Sequence, residues 1–317
     1  MSLLITGAYG FIGSHLAHIL LEKGRKDLLL SDNPEYLFKR SCAKGLNSIP
    51  FVDRAELLER LPNELSMVDA VLHLGACTDT GVTDEDYVEK WNTNYTKSLW
   101  IWCAERKIPF LYASSGATYG KGEDGFSDDH KDIPRYKPLN LYGKSKQDFD
   151  LWALQQKAAP PYWWGLKFFN VYGPDENHKG RMASPIYHGF NEIQKTGKMS
   201  LFQSHKEGIA DGEQKRDFIF VDDIVRLCLF CLEKNPLSGI YNAGTGQART
   251  FLDLSKALFK SLGKESKINW IETPEKYRAG YQYFTQAEMG KIKKAGYNES
   301  FLPIEDGVKK YVDWLKK

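Results

Sequence analysis

The sequence predicts an α/β fold, a doubly wound parallel sheet followed by a smaller C-terminal domain. Three observations predict it. Short apolar runs alternate with amphipathic helical stretches through the first half of the chain, the pattern of a parallel sheet with helices on both faces. A glycine triplet stands between the first run and the first helix. Beyond Asn170 the texture changes to long polar loops, GPDENHKGRMASP and SHKEGIADGEQKRD.

Leu3–Thr6 (LLIT) is the first strand. The helix GFIGSHLAHILLEKG follows, with Ile12, Leu16, Ile19 and Leu20 at i, i+4, i+7 and i+8 on one face and Gly24 placed to end it. DLLLSD is the second strand, AVLHLGA (70–76) and PFLYASS (109–115) are later ones, and the helix YTKSLWIWCAERK lies between those two. YWWGLKFFNVYG supplies another strand and GIYNAGTG one more. RDFIFVDDI is expected to return to the main sheet. The sheet domain therefore takes residues 1–171 and about 213–247; the substrate-binding domain takes about 172–212 and 248–317.

Bulk properties exclude several classes. A chain of 317 residues can bury a large core without staples. A net charge of +2 offers no field for nucleic acid or a membrane surface. No run approaches the roughly eighteen apolar residues of a membrane span. The chain opens MSLLITG, already in a strand pattern and without a charged leader, so a cytoplasmic protein is expected. Cys228 and Cys231 share the helix DDIVRLCLFCLEK; no second pair or histidines follow to complete a metal site, so both are expected in the core and no metal is expected.

Gly7, Gly10 and Gly13 are spaced G-x-x-G-x-x-G, after a strand and into a helix. Glycines there permit a tight turn and close approach of a pyrophosphate, which the helix N-terminus attracts. The expectation is a Rossmann-type dinucleotide site. Asp32 ends the second strand, where an acid takes the ribose 2′-hydroxyl of NAD. Asn33, Lys39 and Arg40 follow, and cations there suit the 2′-phosphate of NADP, provided Asp32 turns aside. The residues alone admit either cofactor.

YASSGATYG follows a strand and puts Ser114, Ser115 and Thr118 at its carboxyl end, where ligands sit in open α/β sheets. In LNLYGKSK, Tyr142 and Lys146 stand i, i+4 on one helix face. The Lys146 ammonium is expected to lower the phenol pKa, making Tyr142 a proton-transfer group.

The glycine loop, the serine-bearing strand end and Y-x-x-x-K together resemble the extended short-chain dehydrogenases/reductases of the NAD-dependent epimerase/dehydratase family. The resemblance implies that Tyr142 is the acid/base, that Lys146 binds the nicotinamide ribose and tunes the phenol, and that Ser115 positions the substrate oxygen. It implies cofactor contacts from Phe11, Ile12, Leu74, Gly75, Ala76 and Asn94. SSGAT lacks the acid pair of the family's dehydratases, which disfavours elimination.

Longer strings, LHLGACTDT, PLNLYGKSK, FNVYGPDENHKGRMAS, KRDFIFVDDI and YQYFTQAEMGKIKKAGY, are similar to the branch that inverts C6″ of ADP-D-glycero-D-manno-heptose to the L-glycero epimer, for the heptose of the lipopolysaccharide inner core. Two positions depart from that branch: Asn177 stands for glycine and Arg181 for serine. The branch implies NADP, with Asn33 and Lys39 on the adenosine phosphate, NAD being the other option. It implies oxidation of C6″ to a transient aldehyde and re-reduction by the same cofactor, with Lys179 as a second acid/base whose burial must depress its pKa. Asn170, His188, Arg216 and Tyr281 are the implied substrate contacts, and Arg216 suits the diphosphate because arginine forks onto phosphate oxygens. A homo-oligomer is implied, a pentamer being one form. The competing readings are another NAD(P)-dependent sugar-nucleotide epimerase or reductase, such as a UDP-hexose 4-epimerase, and a non-catalytic cofactor sensor of the same fold.

Overall fold

The computed structural model describes residues 2–62, 65, 67–278 and 280–317, with backbone alone at 276 and 277. In chain order the strands are β1 (Ser2–Thr6), β2 (Leu28–Asp32), β3 (Phe51–Asp53), β4 (Val68–His73), β5 (Phe110–Ser115), β6 (Trp163–Phe168), β7 (Asn170–Tyr172), β8 (Met199–Phe202), β9 (Lys215–Phe220), β10 (Gly239–Ala243), β11 (Ala248–Thr250) and β12 (Ile268–Ile271).

Seven strands form one sheet in the order β3-β2-β1-β4-β5-β6-β10, every pair parallel. These strands are apolar on both faces because helices cover both. On one side lie the helices Phe11–Glu22 and Val221–Lys234, burying Leu16, Leu20, Leu227 and Cys228 against Ile5, Leu30 and Leu72. Cys231 is buried there as well, so both cysteines of that helix are core residues. On the other side Leu99, Trp100 and Phe149, from the helices Tyr95–Arg106 and Leu141–Gln155, pack on Leu4, Val71 and Phe110. Strand order reverses between β1 and β4, and the crevice outside the carboxyl ends of such neighbours is where ligands bind.

Two expectations for the later chain are corrected. YWWGLKFFNVYG is two strands in different sheets: β6 stays in the main sheet, and β7 leaves it to pair with β9. RDFIFV does not return to the main sheet. As β9 it lies between β7 and β11 in a three-stranded sheet. The place beside β6 is taken by β10, in the register Gly239 to Trp164 through Ala243 to Phe168. Phe218 and Phe220 of β9 instead enter a second core with Tyr172, Phe190, Leu258 and Tyr311. An apolar run reports burial and not which sheet buries it.

Candidate active site

The turn after β1 is built by contact of two backbones. Gly7 has φ +67°, and a Cβ on it would stand 2.5 Å from the Gly75 nitrogen in the loop after β4. A Cβ on Gly13 would stand 2.1 Å from the Gly7 carbonyl oxygen. Gly10 caps the helix Phe11–Glu22 without a side-chain bond, which leaves first-turn N–H groups for an anion. These features fit a dinucleotide pyrophosphate. Gly13→Ala is accordingly expected to cost about 1–3 kcal/mol by overpacking and to abolish the rise in melting temperature on adding dinucleotide. A wild-type rise in that variant would remove the loop from the cofactor site.

Asp32 is almost wholly buried. Its Oδ2 accepts the Tyr9 N–H at 2.9 Å and its Oδ1 the Asn33 N–H at 2.7 Å. Burial raises its pKa, against those hydrogen bonds and the charges of Arg40 and Arg54. The Arg40 guanidinium lies 3.4 Å from the centre of the Tyr36 ring and donates to the Tyr9 carbonyl; Arg54 lies over Trp91. All of these except Tyr9 and Asn33 line the cleft. Lys39 and Asn33 do not: Lys39 pairs with Glu35 at 2.5 Å on the exposed side of a five-residue helix, and the Asn33 side-chain Oδ1 accepts from the Glu35 N–H. Arg40, one residue on, is where the backbone becomes extended (φ −118°), and its side chain lines the cleft in place of Lys39.

Ser115 ends β5, and its Oγ accepts the Ala117 N–H at 3.1 Å. Asn140 caps the helix Leu141–Gln155 by accepting the Gly143 N–H. A Cβ on Gly143 would meet the Ala117 carbonyl oxygen at 2.9 Å, so glycine lets this helix approach the turn beyond Ser115. Tyr142 and Ser115 both line the cleft. Burial raises the Tyr142 pKa, partly offset by the Ser115 hydroxyl, while the Cys77 thiol adds to the rise. The expected lowering by Lys146 does not appear in the protein alone, where burial sets the direction. Burial also lowers the Lys146 pKa to about 8, against the charges of Asp150 and Cys77.

Lys179 enters from the turn Asn177–Met182, its Nζ 3.1 Å from the buried Glu176 and 4.7 Å from the centre of the Phe11 ring. Glu176 is fixed by accepting from the N–H and Oγ–H of Ser184. Both departures from the sequence pattern touch the sheet domain. Asn177 accepts from the Ser41 hydroxyl, and Arg181 reaches Asp79, in the loop after β4, at 2.5 Å.

These groups share one cleft of about 690 Å³. Among the predicted residues, Gly7, Gly10, Phe11, Ile12, Gly13 and Asp32 line it, as do Leu74, Gly75 and Ala76 from the β4 loop. Ser115, Tyr142, Lys146, Asn170 and Lys179 complete the set. Asn94, His188, Arg216 and Tyr281 do not line it. Asn94 is exposed beside Glu89, whereas Asn92 is buried and holds both backbone groups of Cys77. Both asparagines lie in a π-helical turn, Glu89–Asn94, whose side chains do not follow α-helical register. His188 is exposed on the helix Pro185–Thr196. Arg216 and Tyr281 are brought together 5.6 Å apart, with Gln282 and Thr285 next along the chain lining the cleft. The Arg216 guanidinium is largely buried, bonded to the Lys215 carbonyl, and burial lowers its pKa to about 10. Sequence reasoning missed Arg54, Trp91, His73 and Gln282: His73 and Gln282 lie in the strings LHLGACTDT and YQYFTQAEMGKIKKAGY but nothing there singled them out, and Arg54 and Trp91 sit in no motif. Among the described residues no three His, Cys, Asp or Glu side chains are grouped to hold a metal, and no helix is long and apolar enough to cross a membrane.

Residues 3–244 match the profile of the NAD dependent epimerase/dehydratase family. The chain is 44% identical over 320 aligned residues to the ADP-L-glycero-D-manno-heptose-6-epimerase of Fusobacterium nucleatum, covering 98% of this chain and 96% of that one. It is 42% identical to the enzyme of the same name from Nitratidesulfovibrio vulgaris, with 98% and 96% covered. Among solved structures, the Helicobacter pylori ADP-L-glycero-D-manno-heptose-6-epimerase superposes with a TM-score of 0.82 at 27% identity, covering 99% of this chain and 96% of that chain.

Proposed function

The chain belongs to the NAD dependent epimerase/dehydratase family, and we propose that within it the protein inverts C6″ of ADP-D-glycero-D-manno-heptose by transient oxidation and re-reduction. The observation that carries this reading is the convergence of Ser115, Tyr142, Lys146 and Lys179 on the cleft that the glycine loop opens. Relatives similar over nearly the whole chain bear the name of that activity.

What a bound nicotinamide supplies is a reversible hydride acceptor. The chain's own residues manage the proton. Ser115 holds the C6″ oxygen, and Tyr142 exchanges its proton. Lys146, on the next turn of the same helix, holds the ribose. C6″ is bonded to both C5″ and C7″, so its oxidation gives a ketone; the expected aldehyde would need a terminal carbon. The ketone must present its other face before reduction, which moves its oxygen away from Tyr142. Lys179 serves the second orientation, with Glu176 aiming its ammonium. Arg216 and Tyr281 are proposed for the diphosphate and nucleotide, since a buried guanidinium with no carboxylate bonded to it among the described residues suits phosphate.

NADP is the proposed cofactor. Asp32 is committed to two backbone N–H groups, and Arg40 and Arg54 lie beside it, which favours a 2′-phosphate over a free hydroxyl. A cytoplasmic homo-oligomer is the expected form. The test is proton NMR of ADP-D-glycero-D-manno-heptose with the protein in D₂O, no cofactor added. The expected result is the L-glycero epimer without deuterium at C6″, with NADP released on denaturation. No conversion, even with NADP added, would sink the reading, and turnover of UDP-galactose would replace it with a hexose 4-epimerase.

A further inference from the structure

Behind the proton-transfer residues lies a buried polar network that the chemistry above does not use. Asp150 and Lys167 are both fully buried and paired at 2.6 Å. Asp150 also accepts from the Tyr112 hydroxyl at 2.9 Å and the Ser114 hydroxyl at 2.8 Å. Lys167 donates a second bond to the Thr118 hydroxyl at 2.8 Å, and Thr118 in turn donates to the Ser115 carbonyl at 2.8 Å. Room has been made for it: a Cβ on Gly165 would stand 2.3 Å from the Tyr112 hydroxyl oxygen.

The location of this network is informative. Tyr112 and Ser114 are on β5, which Ser115 ends; Lys167 is on β6; Asp150 is on the helix that carries Tyr142 and Lys146, one turn beyond Lys146. Packed apolar side chains of the same volume would hold these elements at least as firmly, because burying two charges costs solvation that their attraction only partly returns. Apolar contacts slide, however, whereas directed charge-assisted bonds fix one register. We propose that Asp150, with Lys167, is a positioning residue for the proton-transfer centre: it locks the Ser115 end of β5 to the helix of Tyr142 and Lys146 and holds a negative charge behind the Lys146 ammonium.

The charge has a definite sign of effect. Asp150 raises the Lys146 pKa against burial. The other groups bearing on Lys146 are Cys77 and, from β4, His73. Those bearing on or influenced by Asp150 are Lys167, Tyr112, Tyr119 and His130. Lys146 is protonated below about pH 8, so its contribution is lost as pH rises through that value. Without the Asp150 charge the loss comes at lower pH.

The inference rests on the roles given above to Ser115, Tyr142 and Lys146, and its test does not require that the sugar be correct. Asp150→Ala alone would strand the Lys167 ammonium in the core, so the test uses the neutral pair Asp150→Asn with Lys167→Met. Lysine labelled with ¹³C at Cε reports the Lys146 titration in the holoenzyme, assigned by Lys146→Arg. The expected results are a midpoint moved down by about one unit, a kcat lowered about tenfold or more, and an unchanged KM. Ser114→Ala removes one bond and keeps the ion pair; its expected result is a kcat about threefold lower with the midpoint unmoved, and it decides the question should the pair not fold. A folded neutral-pair variant with an unmoved midpoint or wild-type kcat overturns the proposal, as does wild-type kcat in Ser114→Ala. A wild-type enzyme inert toward ADP-heptose would overturn the proposed function and leave the titration standing.

Discussion

Tyr142→Phe is expected to lower kcat about 100-fold or more while leaving dinucleotide affinity unchanged. The substitution keeps the ring and its packing and deletes one oxygen, the phenolic one that shares the cleft with Ser115. The helix keeps its Asn140 cap and Lys146 keeps its place, so the proposed ribose contact survives. The loss is one of proton transfer: the C6″ hydroxyl has nowhere to pass its proton as hydride leaves. Steady-state turnover at saturating substrate measures the first quantity and NADPH fluorescence titration the second. Near-normal turnover would show that another group is the acid/base.

Lys179→Met is the second large effect, with a comparable expected fall of about 100-fold in kcat. Glu176 loses its ion partner but still accepts two bonds from Ser184, so the turn should keep its shape. Lys179→Arg separates two meanings of the result. Arginine keeps the charge and is effectively always protonated. If Lys179 serves only as a cation for phosphate, arginine restores most of the rate; if it passes a proton, arginine is as poor as methionine. A rise in KM alone in Lys179→Met would assign Lys179 to substrate holding.

Much of the fold was legible because its signals are local. The glycine triplet announces a turn that only missing Cβ atoms allow, and the strands of the main sheet are short apolar runs between helices. Ser115, Tyr142 and Lys146 were legible as a group because a strand end and a helix turn set their places within a few residues. What was illegible depends on distant contacts. Lys39 and Arg40 are adjacent cations, and only the end of a five-residue helix decides which lines the cleft. Asn94 and Asn92 share one π-helical turn, where α-helical register does not say which of them faces inward. The course of β9 depends on β10 occupying the edge of β6. Arg216 and Tyr281 meet each other, yet no spacing in the sequence says how far from the main cleft they do so.

The sheet order also has a consequence for how the chain is made. Six strands of the main sheet have been synthesised by Phe168, but the seventh ends at Ala243. At about 5–20 residues per second, the intervening stretch of roughly 75 residues takes about 4–15 seconds to emerge from the ribosome. Throughout that interval β6 presents an unpaired edge, and Trp164 and Leu166 lack the strand that later lies beside them. An open apolar edge is a template for pairing with other chains. The nascent protein is therefore most vulnerable to a neighbouring copy between one half and three quarters of the way through its own translation, with every residue of the proposed proton-transfer centre except Lys179 already made.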